Sequence, residues 1–160
     1  MKLSLIIPAY NEAKKIHADF NAASLFLESQ PFSSEVLIIN DGSQDETQKV
    51  AEELSKKFST PQVQFRVLSY GGNRGKGYAI RYGVKNAQGD LIAFADSGLC
   101  VPFSYLIKGI EQIEGGADFA LASRRLKDTK IKREQPTYRK VGSKVFWWVV
   151  KGFMGVQVSD

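Results

Sequence analysis

Four short polar clusters, each placed directly after an apolar run, hold the residues of this chain that could do chemistry. They are Pro8-Ala9-Tyr10-Asn11-Glu12, Asn40-Asp41-Gly42-Ser43, Asn73-Arg74-Gly75-Lys76-Gly77 and Asp96-Ser97-Gly98. Glu12, Asp41 and Asp96 are acceptor-only carboxylates, able to take hydrogen bonds or to face a cation. Arg74 and Lys76 are the complementary donors, charged at neutral pH and suited to phosphate oxygens. Singly, Glu12 reads more readily as an acid favoured by the positive end of a helix, and Asp41 as a turn or cap former. Gly75-Lys76-Gly77 does not make an ATPase phosphate loop, because Tyr70 and Gly77 stand where that motif needs glycine and a hydroxyl residue. Gly72, Gly75 and Gly77 also have the wrong spacing for a dinucleotide fingerprint and follow the third strand rather than the first. His17, early in the first helix, reads as an exposed or capping residue. Cys100 has no histidine to serve as its base and reads as core or loop packing.

Such clusters need elements that hold them at one rim. Residues 3–7 are apolar and β-branched up to Pro8, the pattern of a strand buried on both faces. Residues 12–29 space Ile16, Phe20, Ala23 and Leu27 along one helical face. The alternation continues with a strand at 36–39, a helix at 45–58 capped by Ser43 or Asp45, a strand at 63–70 and a glycine-rich turn at 71–77. After it come a helix at 78–87, a strand at 91–95, a helix at 101–113 and a strand at 119–122. This order predicts an α/β fold, a Rossmann-like α/β/α sandwich on a mostly parallel central sheet with right-handed crossovers. Ligands of such sheets bind beyond the carboxyl ends of the strands, where all four clusters fall. Farther on, residues 126–136 read as a polar, mobile loop. Residues 138–155 read as a helix that turns from basic to Val145-Phe146-Trp147-Trp148-Val149-Val150. That helix suits a membrane interface, with tryptophan at headgroup level and lysine on anionic lipid, or equally a packed position on the sheet.

A length of 160 residues fits one domain, 1–160, and no internal repeat divides it. With 43% hydrophobic and 24% charged residues, the chain sits with soluble globular proteins and away from disordered or collagen-like ones. Twenty-two basic against 17 acidic side chains give +5, and ten of the basic residues fall between positions 124 and 151. That local excess suits phosphates, acidic headgroups or nucleic acid, but no nucleic-acid recognition motif accompanies it, so a nucleic-acid partner is set aside. No uninterrupted apolar stretch reaches the roughly 18–20 residues that span a bilayer. The lone Cys100 is simplest in a reducing compartment, which points to the cytoplasm.

In their order and spacing, with strands before and helices after, the four clusters resemble the family 2 glycosyltransferases of the GT-A fold. Ser123-Arg124 and Gln135-Pro136-Thr137-Tyr138-Arg139-Lys140-Val141-Gly142-Ser143 are similar to the branch that makes dolichyl- or polyprenyl-phosphate mannose or glucose. The resemblance covers the whole chain and implies a GT-A nucleotide-sugar-binding catalytic domain. It puts Pro8, Ala9 and Tyr10 beside the base, Glu12 and Asp41 on base N–H and ribose hydroxyls, and Lys76 with Arg74 towards the diphosphate. Asp96 stands first in the family's Asp-x-Asp motif, facing ribose or a Mg²⁺ or Mn²⁺ ion that bridges the diphosphate. Gly98 replaces the second aspartate, which removes one hard oxygen ligand. The ion is then held by one carboxylate, phosphate oxygens and water, or lysine and arginine neutralise the charge instead. The resemblance also implies that Arg124 and Arg139 handle the donor diphosphate and the acceptor phosphate, with Ser143 one helical turn beyond Arg139. Arg125 and Lys140 are secondary candidates.

The implied reaction moves a hexose from a UDP- or GDP-linked donor to a polyprenyl or dolichyl phosphate with inversion, with Asp96, Arg124 and Arg139 as the catalytic set. Because the acceptor is already an anion, positioning and stabilisation of the leaving diphosphate carry the catalysis. The implied location is the cytoplasmic face of a membrane. In the family, Gly155-Val156-Gln157-Val158-Ser159-Asp160 would lead into another acceptor-side segment and often membrane anchors, so a truncated chain and self-association through an uncovered apolar face are expected. Two alternatives stay open: a non-catalytic nucleotide-binding fragment or degenerate relative, and a family 2 transferase for cell-surface polysaccharide. The region 139–143 argues against the latter.

Overall fold

The computed structural model describes residues 1–99 and 101–122. Four strands, β1 (Leu3–Ala9), β2 (Ser34–Asn40), β3 (Val63–Ser69) and β4 (Leu91–Phe94), form an all-parallel sheet in the order β3-β2-β1-β4. Helices α1 (Ile16–Glu28), α2 (Thr47–Phe58) and α3 (Lys76–Asn86) follow the first three strands, and α4 (Tyr105–Glu114) follows β4. The chain steps outward from β1 to β3, then returns to place β4 on the other side of β1. The boundary between β1 and β4 is thus the point where the strand order reverses, where doubly wound sheets open a crevice.

The two inner strands read as continuous apolar runs because each has a strand on both sides and helices on both faces. Alternation sorts their side chains. Leu3, Leu5 and Ile7, with Val36 and Ile38, face Ile16, Phe20, Ala23 and Leu27 of α1 and Ala51 and Leu54 of α2. Ile6, Leu37 and Ile39 face the other way, against Ala79 of α3. On the first face the Phe20 and Phe65 rings stack at 4.9 Å, and Leu106 and Ile110 of α4 pack against the same core. The result is the expected α/β/α sandwich.

At the amino ends of the strands, a fully buried Glu35 closes the sheet. It accepts bonds from Ser4 Oγ at 2.6 Å, Gln88 N at 2.6 Å and Arg66 Nη1 at 2.7 Å, so its charge is paired and its oxygens satisfied. A Cβ on Gly89 would lie 2.6 Å from the Ser4 nitrogen, which leaves no room for another residue there. The opposite, carboxyl rim remains open.

Boundaries differ from the sequence expectation where turns intervene. The first helix begins at Ile16 rather than Glu12, because Asn11 adopts φ 55° and the Glu12 carbonyl closes a turn by accepting the Lys15 and Ile16 N–H groups, each at 2.9 Å. α3 starts early, at Lys76, because Gly75 at φ 84° launches it and its carbonyl accepts from Tyr78 and Ala79. α4 starts late, at Tyr105, after a turn closed on the Pro102 carbonyl. The strand expected at 119–122 is not formed; Phe119 and Leu121 are 72% and 69% exposed. A short apolar run becomes a strand only when a neighbour completes its ladder. Residues 1–118 form one compact unit, and 119–160 a second of which 119–122 are described. Cys100, the loop expected at 126–136 and the helix expected at 138–155 lie outside the described residues.

Candidate active site

The loops after β1 and β2 are stitched together by polar groups of both. Asp41 N–H donates to the Ala9 carbonyl at 2.9 Å, Asn11 N–H to Ser43 Oγ at 3.0 Å, and Gln44 N–H back to Asn11 Oδ1 at 2.9 Å. Glu12 N–H donates to Thr47 Oγ1 at 2.8 Å and Ala13 N–H to Asp45 Oδ2 at 3.3 Å. Asp45, rather than Ser43, receives the first N–H of α2, from Thr47 at 2.9 Å. Bonds led by that from the Thr47 hydroxyl hold its carboxyl below the ordinary value. Glu12 therefore sits on a braced turn ahead of α1. Its Oε2 is buried and accepts no hydrogen bond among the described residues, with the Lys15 ammonium 3.5 Å away. Such an oxygen is available to an incoming N–H group.

Asp41 is 4% exposed and more constrained than a cap residue needs to be. Its Oδ1 accepts from Tyr70 Oη and from the Arg74 backbone N–H, both at 2.8 Å. Burial first, then the Asp41 bond, pushes the Tyr70 phenol well above its ordinary value, so it remains a donor. Tyr70 stands edge-on to Tyr78 and Tyr82, at 4.9 and 5.1 Å, which fixes the ring that fixes Asp41. The Arg74 side chain does not turn towards the cleft as expected. Its guanidinium lies 4.8 Å from the centre of the Tyr78 ring and donates to the Tyr78 hydroxyl at 2.9 Å, so Arg74 serves the site through its backbone. Gly42 is required for two reasons: it sits at φ 66°, and a Cβ would meet the Gly72 carbonyl carbon at 2.3 Å.

Lys76, the first residue of α3, pairs its ammonium with Asp96 Oδ1, each side chain about half exposed. Two residues on, Gly98 at φ 86° and Leu99 at φ 54° turn their N–H groups away to the buried carboxylate of Asp19 in α1. Among the described residues no three His, Cys, Asp or Glu gather closely enough to hold a metal ion. One carboxylate already paired with a lysine does not build a cage for Mg²⁺ or Mn²⁺; the fixed positive charge at this point is Lys76.

These groups converge. A cleft of about 330 Å³ is lined by Pro8, Ala9, Tyr10 and Glu12 from the end of β1, Asp41 from β2, Asn73, Gly75 and Lys76 after β3, and Asp96 and Ser97 after β4. The structure thus gathers Pro8, Ala9, Tyr10, Glu12, Asp41, Lys76 and Asp96 on one rim, with the Arg74 side chain outside it. A second groove, about 460 Å³, lies along Lys14, Lys15, His17 and Leu99 and contains no carboxylate. His17 is exposed and stands edge-on to Phe58 at 5.7 Å. Arg124, Arg139 and Ser143 lie outside the described residues. Tyr70 and Asp19 are not marked by the sequence pattern: Tyr70 reads as the end of a strand and Asp19 as an ordinary helix acid. Only its place on the Ile16–Phe20 side of α1 signals that Asp19 is buried.

The family model described as Glycosyl transferase family 2 matches residues 4–159. A dolichol-phosphate mannosyltransferase of Pyrococcus furiosus is 35% identical over 144 residues, 90% of this chain and 39% of that protein. A bactoprenol glucosyl transferase of Shigella phage SfV is 35% identical over 136 residues, 84% of this chain and 43% of that protein. The chain thus spans about two fifths of the length of these relatives. Among solved structures, a mannosyltransferase from Pyrobaculum calidifontis in complex with GDP-Man and Mn²⁺ is similar in fold, with a TM-score of 0.52 at 22% identity over 59% of this chain and 27% of that one.

Proposed function

The chain belongs to glycosyl transferase family 2, and from that premise we propose that it binds a nucleotide-sugar, UDP- or GDP-linked, and transfers the hexose to a polyprenyl or dolichyl phosphate with inversion. One observation carries the reading: Glu12, Asp41, Lys76 and Asp96, from four distant stretches of sequence, line one cleft at the β1–β4 switch point. The relatives named for dolichol phosphate and bactoprenol support the acceptor class.

In this reading Pro8, Ala9 and Tyr10 flank the base. The unbonded Glu12 oxygen and the free edge of Asp41 receive base N–H or ribose hydroxyl groups, and Lys76 faces the diphosphate with Asp96 orienting it. An acceptor phosphate oxygen forms a bond to the anomeric carbon as the bond from that carbon to the diphosphate breaks. The electron pair leaves on the nucleoside diphosphate, and Lys76 with Arg124 stabilises the charge that gathers there. Arg139 and Ser143 hold the acceptor phosphate; arginine suits that task because its planar fork binds two oxygens at once. A divalent ion, Mg²⁺ or Mn²⁺, would meet Asp96 here and take other ligands from the donor and water, and because no three-ligand cluster stands among the described residues, Lys76 is assigned the neutralising role. Among the described residues no helix is long and apolar enough to cross a membrane. A lipid-phosphate acceptor implies a reaction at a membrane surface, which this proposal assigns to the cytoplasmic face.

A second reading, binding without transfer, is favoured by one observation: Gly98 leaves Asp96 as a single carboxylate. Calorimetric titration with UDP and GDP, with and without Mg²⁺ or Mn²⁺, followed by turnover assays with polyprenyl phosphate, separates the two. Binding with turnover supports transfer, binding alone supports the second reading, and no binding to either nucleotide removes both. Arg139→Ala should weaken acceptor use far more than donor binding; equal losses would refute its assignment.

A further inference from the structure

We propose that Asp19 is a positioning residue for the diphosphate half of the cleft, holding from behind the loop that presents Asp96. This role presupposes the nucleotide-sugar cleft proposed above. Asp19 lies on the core-facing side of α1 beside Ile16, Phe20 and Ala23 and is fully buried, a place where an unpaired acid is strongly disfavoured. No lysine or arginine pairs with it among the described residues.

Its charge is answered by backbone. Gly98 N–H lies 2.9 Å from Oδ1 and 3.1 Å from Oδ2, and Leu99 N–H lies 3.2 Å from Oδ1. Two successive N–H groups turned onto one anion form the concave arrangement that binds carboxylates and phosphates. Here the anion is supplied by the protein. Both donors come from residues at positive φ, 86° and 54°, and for Leu99 that conformation is intrinsically unfavourable. The carboxylate thus holds the loop in a shape it would not choose alone. Burial pushes the Asp19 carboxyl above its ordinary value, the Gly98 and Leu99 bonds pull it back, and the charge of Glu12 adds to the upward push.

The shape matters because Asp96 and Ser97, immediately before the clamped residues, line the cleft, and Asp96 holds Lys76. Asp19 itself faces the core and does not line the cleft. Loosening it should therefore disturb the Asp96–Lys76 end and spare the base and ribose end, which rests on Glu12, Asp41 and Tyr70.

Asp19→Asn keeps the volume and removes the charge; Asp19→Ala removes both; Phe20→Leu, one residue along the same helix, lowers stability without touching the loop. Amide exchange of Gly98 and Leu99, and affinities for UDP, GDP, UMP and GMP, are compared across the set. Asp19→Asn should speed exchange at those two amides and weaken the preferred diphosphate nucleotide, each on the order of tenfold, while the matching monophosphate changes by less than about twofold. Phe20→Leu should lower the thermal midpoint and leave both the exchange contrast and the diphosphate-to-monophosphate ratio unchanged. Unaltered exchange at Gly98 and Leu99 in Asp19→Asn, or equal weakening of mono- and diphosphates, overturns the assignment. If the unmodified chain binds none of the nucleotides, the cleft reading falls and the assignment to a diphosphate site falls with it, whatever the exchange shows.

Discussion

Replacing Gly42 by alanine asks how far the cleft depends on two loops in direct contact. At Gly42 φ is 66°, and an added Cβ would lie 2.3 Å from the Gly72 carbonyl carbon and 2.5 Å from the Asn73 nitrogen. Non-bonded carbons prefer about 3.5–4.0 Å, so the 71–73 stretch has to withdraw by about 1 Å. The left-handed backbone costs an alanine about 1–2 kcal/mol. Withdrawal also stretches the 2.8 Å bond from Arg74 N–H to the Asp41 carboxylate, worth about 1.5–3 kcal/mol for a charged acceptor. Together these predict a loss of about 2.5–5 kcal/mol, a large part of the roughly 5–15 kcal/mol that holds a domain of this size. Gly72→Ala is the control. Gly72 has φ 74° but open space around its Cβ, so it should lose only the backbone part, about 1–2 kcal/mol. Denaturant unfolding of both variants gives the difference, and titration with UDP and GDP shows whether residual folded Gly42→Ala has lost nucleotide affinity. Equal destabilisation by the two substitutions, within about 0.5 kcal/mol, would refute the claim that loop contact rather than backbone strain makes Gly42 necessary.

Tyr70→Phe keeps the packing against Tyr78 and Tyr82 but removes one of the two donors to Asp41 Oδ1; nucleotide affinity should fall about tenfold alongside a stability loss of about 1.5–3 kcal/mol, and calorimetry with unchanged affinity would remove Tyr70 from the site. Gly98→Asp restores the family's second carboxylate at a position where a Cβ meets nothing within 4 Å, at a backbone cost of about 1–2 kcal/mol. UDP or GDP binding should become about tenfold tighter with Mn²⁺ in this variant, and a metal response no larger than that of the unmodified chain would count against the Asp96 geometry described. The Asp45 carboxyl is held below its ordinary value near 3.8, so its contribution to stability is present above that pH and is lost as pH falls through the lowered value. Asp45→Asn should therefore be less stable than the unmodified chain at pH 7 and approach it in acid, as followed by thermal melts across pH.

Much of this was legible in the sequence because the signals were redundant. Apolar runs such as those around Ile6 and Ile38 announced strands, Asn40 marked the end of β2 and Gly71 fell just past the end of β3, although β1 runs through Pro8 to Ala9, and the parallel order then forced Glu12, Asp41, Lys76 and Asp96 to one rim. What escaped was set by tertiary partners. Residues 119–122 carry a strand pattern but no ladder in the described structure, since four residues do not decide their own pairing. Arg74 has the charge for phosphate, yet two tyrosines offer its guanidinium a nearer face. Asp19 looks like any helix acid until the loop 79 residues later turns its amides onto it.

Leu3 to Phe94 is the span over which β1 must wait for β4, since their register joins Leu3 to Leu91 and Ile6 to Phe94. Closing so long a loop is entropically slow, whereas β1 with β2 and β2 with β3 close over much shorter stretches. The edge strand is therefore expected to dock last, and with it Asp96 meets Lys76. A nucleotide bridging both would act on the final step of assembly, slowing the departure of β4 more than it hastens the earlier pairings.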